Sequence, residues 1–112
     1  MVSKSLMAAS TKPLILTILR RKMSYGYEII QEVRRLTGGT LEWADGMLYP
    51  VLHRLEKEKL ISSSWIETEN GMKRKYYLLT SNGAAELATE QQQWIAVHNV
   101  FAELWNLQPA KI

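Results

Sequence analysis

The chain has 112 residues, 46% of them hydrophobic, which is the size of one domain or of one subunit that completes its core against a copy of itself. Its formal charge of +3 is unevenly placed: residues 1–80 carry 13 Lys and Arg against 8 Asp and Glu, whereas residues 81–112 carry 1 against 3. The basic front points to an anionic partner and the acidic tail to a different task, and the absence of cysteine excludes a disulfide frame, a thiolate metal site and a thiol nucleophile.

A lipid surface would also answer the charge, but the pattern argues against a membrane. The apolar stretch from Leu14 to Leu19 is far shorter than the roughly 18 residues a span needs. Ser10-Thr11-Lys12-Pro13 interrupts any signal-peptide core. An untargeted, cytoplasmic protein without a membrane partner is expected.

In chain order, the first predicted helix covers part of Ser3 to Lys22, with Leu14, Ile15, Ile18 and Leu19 at helical spacing and Arg20-Arg21-Lys22 favourable at its C-terminal end. Either it begins near Thr11, with Pro13 in its first turn, or it begins earlier and is kinked at Pro13. Ser24 is the expected cap of a second helix that buries Ile29, Ile30, Val33 and Leu36 and is stopped by Gly38-Gly39. Leu41 to Trp43 reads as a short strand that pairs with a later hairpin.

Asp45 is the expected cap of a third helix in which Leu48, Val51, Leu52 and Leu55 share one face, with Pro50 near its start. The opposite face presents Tyr49, His53, Arg54 and Lys57. Asn70-Gly71 then signals a hairpin with a two-residue type I′ turn. Counting outward pairs Glu69 with Met72, Thr68 with Lys73, Glu67 with Arg74, Ile66 with Lys75 and Trp65 with Tyr76. Two sets compete for the buried face: Trp65, Tyr76 and Leu78, or Ile66, Tyr77 and Leu79.

Thr80 caps a last helix running to about Leu107, ahead of Pro109. At about 100° per residue, Trp94, His98, Phe101 and Trp105 fall in one stripe, which Val97, Val100, Leu104 and Leu107 widen. That is too much apolar surface for a lone helix, and a partner helix from a second copy explains it. The fold class expected is mainly α with a small β-hairpin: a winged helix-turn-helix over residues 1–80 and a dimerisation helix over 81–112. A helix that enters the major groove beside a basic hairpin, Lys73-Arg74-Lys75, supplies base reading and phosphate grip from one segment.

The residues carrying these features resemble the PadR-like transcriptional regulators, especially the short members with one C-terminal dimerisation helix. The matching stretches are Tyr25-Gly26-Tyr27-Glu28-Ile29, Leu48-Tyr49-Pro50, His53-Arg54-Leu55-Glu56-Lys57, and Arg74-Lys75-Tyr76-Tyr77 with Leu79-Thr80 and Gly83. They lie in order over most of residues 4–107. The resemblance implies a homodimeric winged-helix repressor of transcription, often released by phenolic or hydrophobic drug-like compounds. It also implies an effector contact at the dimer interface for Trp94, which stands 14 residues after Thr80. His98, Leu6 and Ala9 are the neighbouring candidates. Met47 and Asp45 replace a Thr and a Pro common in the family, and Lys59 replaces the usual Gly at the end of the reading helix.

Each assignment has a plainer competitor. His53, Arg54 and Lys57 are either a solvated helix face or a DNA-reading surface. Tyr49 either touches phosphate or covers a helix junction. The basic hairpin protects an edge strand, grips DNA, or does both. Gly26 reads as a packing position, and Leu6 and Ala9 either line a pocket or merely pack. Trp94 is ligand wall or core, and Val97, Phe101, Leu104 and Trp105 are the expected dimer seam. Against an enzyme stand the inventory of two His and a single Asp, and the placing of His53 and His98 in different elements without zinc-site spacing. No cofactor and no metal are expected. The expected partners are palindromic double-stranded DNA, a second copy of the chain and a planar aromatic or phenolic effector. A winged helix used only for protein contacts is the alternative, although such an adaptor has no physical need of a basic reading face.

Overall fold

The computed structural model describes residues 2–43 and 45–110. Its elements are α1 (Lys4–Arg21), β1 (Ser24–Tyr25), α2 (Gly26–Thr37), α3 (Asp45–Lys57), β2 (Ile61–Glu67), β3 (Lys73–Leu79) and α4 (Ser81–Trp105). The strands form one antiparallel sheet in the order β1-β3-β2. The fold is a mainly helical winged helix.

Helix α1 takes the earlier of its two expected starts, capped by Ser3, whose side chain accepts from Leu6 N at 3.2 Å, and it runs through Pro13. The N–H that Pro13 lacks would have gone to the carbonyl of Ala9, an exposed residue, so solvent can satisfy that group. Ile15, Leu16, Ile18 and Leu19 meet Ile29, Ile30 and Val33 of α2 and Leu48, Leu52 and Leu55 of α3 in one core, closed by Trp43, Ile61, Tyr77 and Leu87.

Four expectations need correction. Leu36 does not join the buried face of α2 but stays 41% exposed in its last turn. Ser24 does not cap α2: it is buried in β1 opposite Tyr77, and the capping position passes to Tyr25, whose N–H donates to Glu28 at 3.2 Å. Leu41 to Trp43 is not a strand, because Trp43 is drawn into the core and the sheet takes Ser24–Tyr25 as its third member. The cap expected at Asp45 turns on a side chain outside the described residues, and Asp45 is itself the first residue of α3.

The fourth correction is the hairpin register. Glu67 lies opposite Lys73, Ile66 opposite Arg74, Trp65 opposite Lys75 and Ser64 opposite Tyr76, one residue from the expected pairing. A type I′ turn needs positive φ at both central residues, but of Asn70 and Gly71 only Gly71 has it, at 76°. The loop is therefore Glu69–Gly71, closed by Thr68 N to Met72 O at 2.7 Å and Gly71 N to Thr68 O at 2.9 Å. Burial decides this register. It pairs Ile61 with Leu79 and Ser63 with Tyr77, so the buried Ile61 and Tyr77 share the inner face, which a one-residue slip would forbid. Tyr77 and Leu79 thus face inward and Tyr76, Leu78 and Ile66 outward, while Trp65 follows Ile61 on the inner face.

At the far end, α4 carries its C-terminal half beyond the body, and the molecule measures 54 × 30 × 22 Å. Lys12 of α1 braces the near half of α4 through Glu86 at 3.5 Å and Glu90 at 3.1 Å. Burial alone would depress the Lys12 ammonium, but the hydrogen bond to Glu90 and the two nearby carboxylates outweigh it and raise its pKa.

Candidate nucleic-acid interface

Helix α3 is built to show one face to solvent. Leu48, Leu52 and Leu55 recur at spacings that bury one stripe, which leaves His53, Arg54 and Lys57 exposed on the other side. Its end is set by a left-handed residue, Lys59, at φ 65°, with Leu60 N returning to Leu55 O at 3.0 Å. This is the position where the family pattern has Gly, and Lys59 adopts the glycine-like conformation there. Thr80 then ties the reading helix to α4, its hydroxyl donating to Lys59 O at 2.7 Å and accepting from Gly83 N at 3.0 Å.

Tyr49 lies over Gly26 at the junction of α3 and α2. A Cβ on Gly26 would stand 2.8 Å from Tyr49 Cζ, so the glycine supplies the space the ring occupies. The Tyr49 side nevertheless stays 40% exposed.

The three cations of the wing have three different fates. Lys73 is exposed near the tip. Arg74 stacks on the outer face, its guanidinium 4.4 Å from the Tyr25 ring centre, and Tyr25 meets Tyr76 edge-on at 5.4 Å. Lys75 turns inward, 3.7 Å from the Glu56 carboxylate of α3 and 5.6 Å from the Tyr77 ring. Glu56 also accepts from Ser63 Oγ, so this carboxylate fastens both wing strands to the reading helix. Burial, with the Glu56 carboxylate behind it, pushes the Tyr77 phenol up and keeps it neutral.

Sequence reasoning passed over Trp65 and Tyr27. Both are well exposed, at 67% and 56%, and with Tyr49, His53, Arg74 and Lys75 they line a concavity of about 350 Å3 between α3, the start of α2 and the wing. The signal for Trp65 was its placing two positions along β2 from Ser63, on the inner face, and the misjudged register concealed it.

The second candidate region lies between α1 and α4. Trp94 lines a shallow depression of about 300 Å3 with Ser10, Pro13, Leu14, Thr17 and Leu41. The hydroxyls of Ser10 and Thr17 are spent on the helix carbonyls of Leu6 and Pro13, so the lining is largely apolar. Leu6 and Ala9 are exposed on α1 and do not line this depression, and His98 is engaged elsewhere, its Nε2 3.1 Å from Gln108 O. Farther along α4, Val97, Phe101, Leu104 and Trp105 are all exposed, Leu104 at 72%, and Phe101 stacks on Trp105 with ring centres 4.5 Å apart. Behind them the chain turns at Asn106, φ 60°, and runs back so that Ala110 N donates to Asn99 at 2.9 Å, leaving Ala102 buried. Among the described residues no group of three His, Asp or Glu is arranged to hold a metal ion, and no helix is long and apolar enough to cross a membrane.

Residues 15–89 match the family model described as the PadR-like family of transcriptional regulators. An uncharacterized protein of Lysinibacillus sphaericus, protein X, is 34% identical over 100 residues, which cover 89% of this chain and 92% of that one. The transcriptional regulator YqjI of Escherichia coli is 39% identical over 79 residues, 70% of this chain but only 36% of that regulator. Among solved structures, a transcriptional regulator from Clostridium thermocellum superposes with a TM-score of 0.83 at 27% identity, over 92% of this chain and 97% of that one. A PadR-like transcriptional regulator from Bacillus cereus gives 0.81 at 28% identity, over 94% and 100%.

Proposed function

This chain belongs to the PadR-like family of transcriptional regulators, and from that premise we propose that it is a homodimeric repressor which binds a palindromic operator and is released by a flat aromatic molecule. The family and the similar structures are regulators that bind DNA and not enzymes. The observation that carries the reading is that His53, Arg54 and Lys57 are exposed on α3 and that His53 lines one concavity with Arg74 and Lys75 of the wing, whose Lys73 is also exposed. A solvated helix face needs no basic hairpin next to it.

In this mechanism α4 of one protomer pairs with α4 of its partner through Val97, Phe101, Leu104 and Trp105. The pairing removes apolar rings and aliphatic side chains from water, which the isolated chain leaves exposed. The two α3 helices then enter successive major grooves about 34 Å apart, with Tyr49, His53, Arg54 and Lys57 at the bases or backbone and Lys73 and Arg74 on flanking phosphate. The regulator works in the cytoplasm, where its operator lies.

Release acts through the depression at Trp94. A flat apolar effector seated there lies between α1, which belongs to the DNA-binding head, and α4, which belongs to the dimer seam. Changing that contact alters the tilt of the heads, and a coupling of about 1 to 3 kcal/mol is enough to loosen DNA. On this reading His98, one turn along α4 from Trp94, gives up its contact with Gln108 O to reach the effector, and Leu6 and Ala9 contribute from the α1 of the partner. Selection of bound fragments from a pool of random duplexes tests the proposal. A palindromic consensus supports it, and a consensus without two-fold symmetry, or none, removes it.

A further inference from the structure

The concavity between the reading helix and the wing holds two residues, Trp65 and Tyr27, that the contacts proposed for α3 and the wing leave unused. Its wall is largely aromatic, with Tyr27, Tyr49 and Trp65, and its rim carries the cations Arg74 and Lys75 with the His53 ring beside them. Trp65 is conspicuous because it sits on the inner face of the sheet, the face that elsewhere buries Ile61 and Tyr77, yet it lies past the helices and stays open to water. A large indole on an inward face with nothing packed over it is surface awaiting a partner, since covering it removes substantial apolar area from water.

The position in the molecule says what that partner is. A helix in a major groove and a wing on the flanking groove are separated, on B-form DNA, by the sugar–phosphate ridge that divides the two grooves. The concavity lies between these same two elements. Its chemistry suits the ridge: a deoxyribose is an apolar face for the Trp65 ring, while the indole N–H and the Tyr27 hydroxyl offer donors to a phosphate beside the Arg74 guanidinium. The cations themselves are steadied rather than loose, Arg74 on Tyr25 and Lys75 on Glu56, so the walls of the concavity are held before DNA arrives.

We propose that this cleft seats one sugar–phosphate unit of the duplex backbone, with Trp65 packed on the deoxyribose and Tyr27 beside the phosphate. Trp65 is then a positioning residue for DNA: it adds affinity for any duplex, carries no sequence preference, and contributes without releasing counterions. The proposal rests on the reading of the chain as a DNA-binding regulator.

The test uses the full-length chain and a mixed-sequence duplex about 30 base pairs long, roughly three helical turns. Binding of wild type, Trp65→Ala, Trp65→Phe and Lys73→Ala is measured over a salt series. Thermal melting of each variant checks the fold, which an exposed indole should not govern. Trp65→Ala is expected to bind about tenfold more weakly, equivalent to about 1.4 kcal/mol. Its slope of log affinity against log salt stays that of wild type, because no charge has been removed. Trp65→Phe keeps most of the affinity, and Lys73→Ala changes the slope instead. Wild-type affinity in Trp65→Ala, or a loss that comes with a flattened slope, overturns the cleft while leaving DNA binding intact. A Trp65 effect seen on single-stranded DNA but absent on duplex reassigns the ring to base stacking and likewise overturns it. A wild type that binds no duplex at any salt removes the cleft and the regulator reading together.

Discussion

The Lys75 ammonium lies 3.7 Å from the Glu56 carboxylate, so the last cation of the wing's basic run is turned onto the reading helix instead of out toward the tip. Three consecutive basic residues therefore do not make three equivalent phosphate contacts. In an alternating strand Lys73 and Lys75 share a face and Arg74 takes the other, and the partners available on each face decide how free each charge is.

The salt dependence of duplex binding separates them. Lys73→Ala should flatten the slope of log affinity against log salt by about 2 for a dimer, close to 0.9 for each lost phosphate contact. Lys75→Ala should leave the slope nearly unchanged. It should instead lower stability modestly, since a partly exposed ion pair is worth about 0.2 to 1 kcal/mol. Equal slopes for the two variants would show that both lysines meet phosphate.

On the reading helix, His53→Ala or Arg54→Ala should reduce discrimination between operator and random duplex. A good base contact is worth about 1 to 3 kcal/mol, and that loss is confined to the operator. Competition binding on both duplexes measures it, and equal losses on the two would assign these residues to the backbone.

The turn that ends α3 carries a prediction about stability. Lys59 holds a left-handed conformation that costs a side chain about 1 to 2 kcal/mol, and glycine's extra freedom in the unfolded chain cancels part of the gain from removing it. Lys59→Gly should therefore stabilise by up to about 1 kcal/mol in denaturant unfolding. Gly83→Ala should do the reverse. Its Cβ would meet the carbonyl of Leu60 and stand 2.6 Å from Leu79 Cδ1, and such overpacking costs about 1 to 3 kcal/mol. A neutral Gly83→Ala would mean that α4 is not held where its Thr80 cap sets it.

Much of this arrangement was legible in the chain because it is periodic. The apolar spacing of α1, α2 and α3 and the Thr80 cap carry their own signal within a few residues, and so did the long apolar stripe of α4. What the chain concealed was decided at a distance. Asn70-Gly71 is a sound local signal for a two-residue turn, yet the joint burial of Ile61 and Tyr77, remote from the turn, selects the three-residue loop. Ser24 looked like a cap until pairing with Tyr77 made it a strand. The same hidden register kept Trp65 from being counted with Tyr49 and His53. The residues around Trp94 were also hidden, because Pro13, Leu14 and Thr17 reach it through the crossing of α1 and α4 and Leu41 from the loop after α2.

Trp94 tests the release mechanism. Titration with flat cationic dyes and phenolic acids should quench fluorescence in wild type, and Trp94→Ala should lose most of that affinity while still forming dimers and binding DNA. Because Trp43, Trp65 and Trp105 also emit, Trp94→Phe serves as the difference control. If no compound distinguishes Trp94→Ala from wild type and the dimer weakens by about 3 to 5 kcal/mol, Trp94 is core and the protein lacks this sensor.

The most direct measurement is sedimentation equilibrium of the chain, alone and with the selected operator, for wild type and Leu104→Asp. Wild type should sediment at twice the 12.9 kDa chain mass and bind the operator as a dimer. Leu104→Asp places a carboxylate in the α4 seam and should give monomers that no longer span two half-sites. A wild type that is monomeric on its operator, or a folded Leu104→Asp that remains a dimer and binds as before, would contradict a repressor assembled through α4.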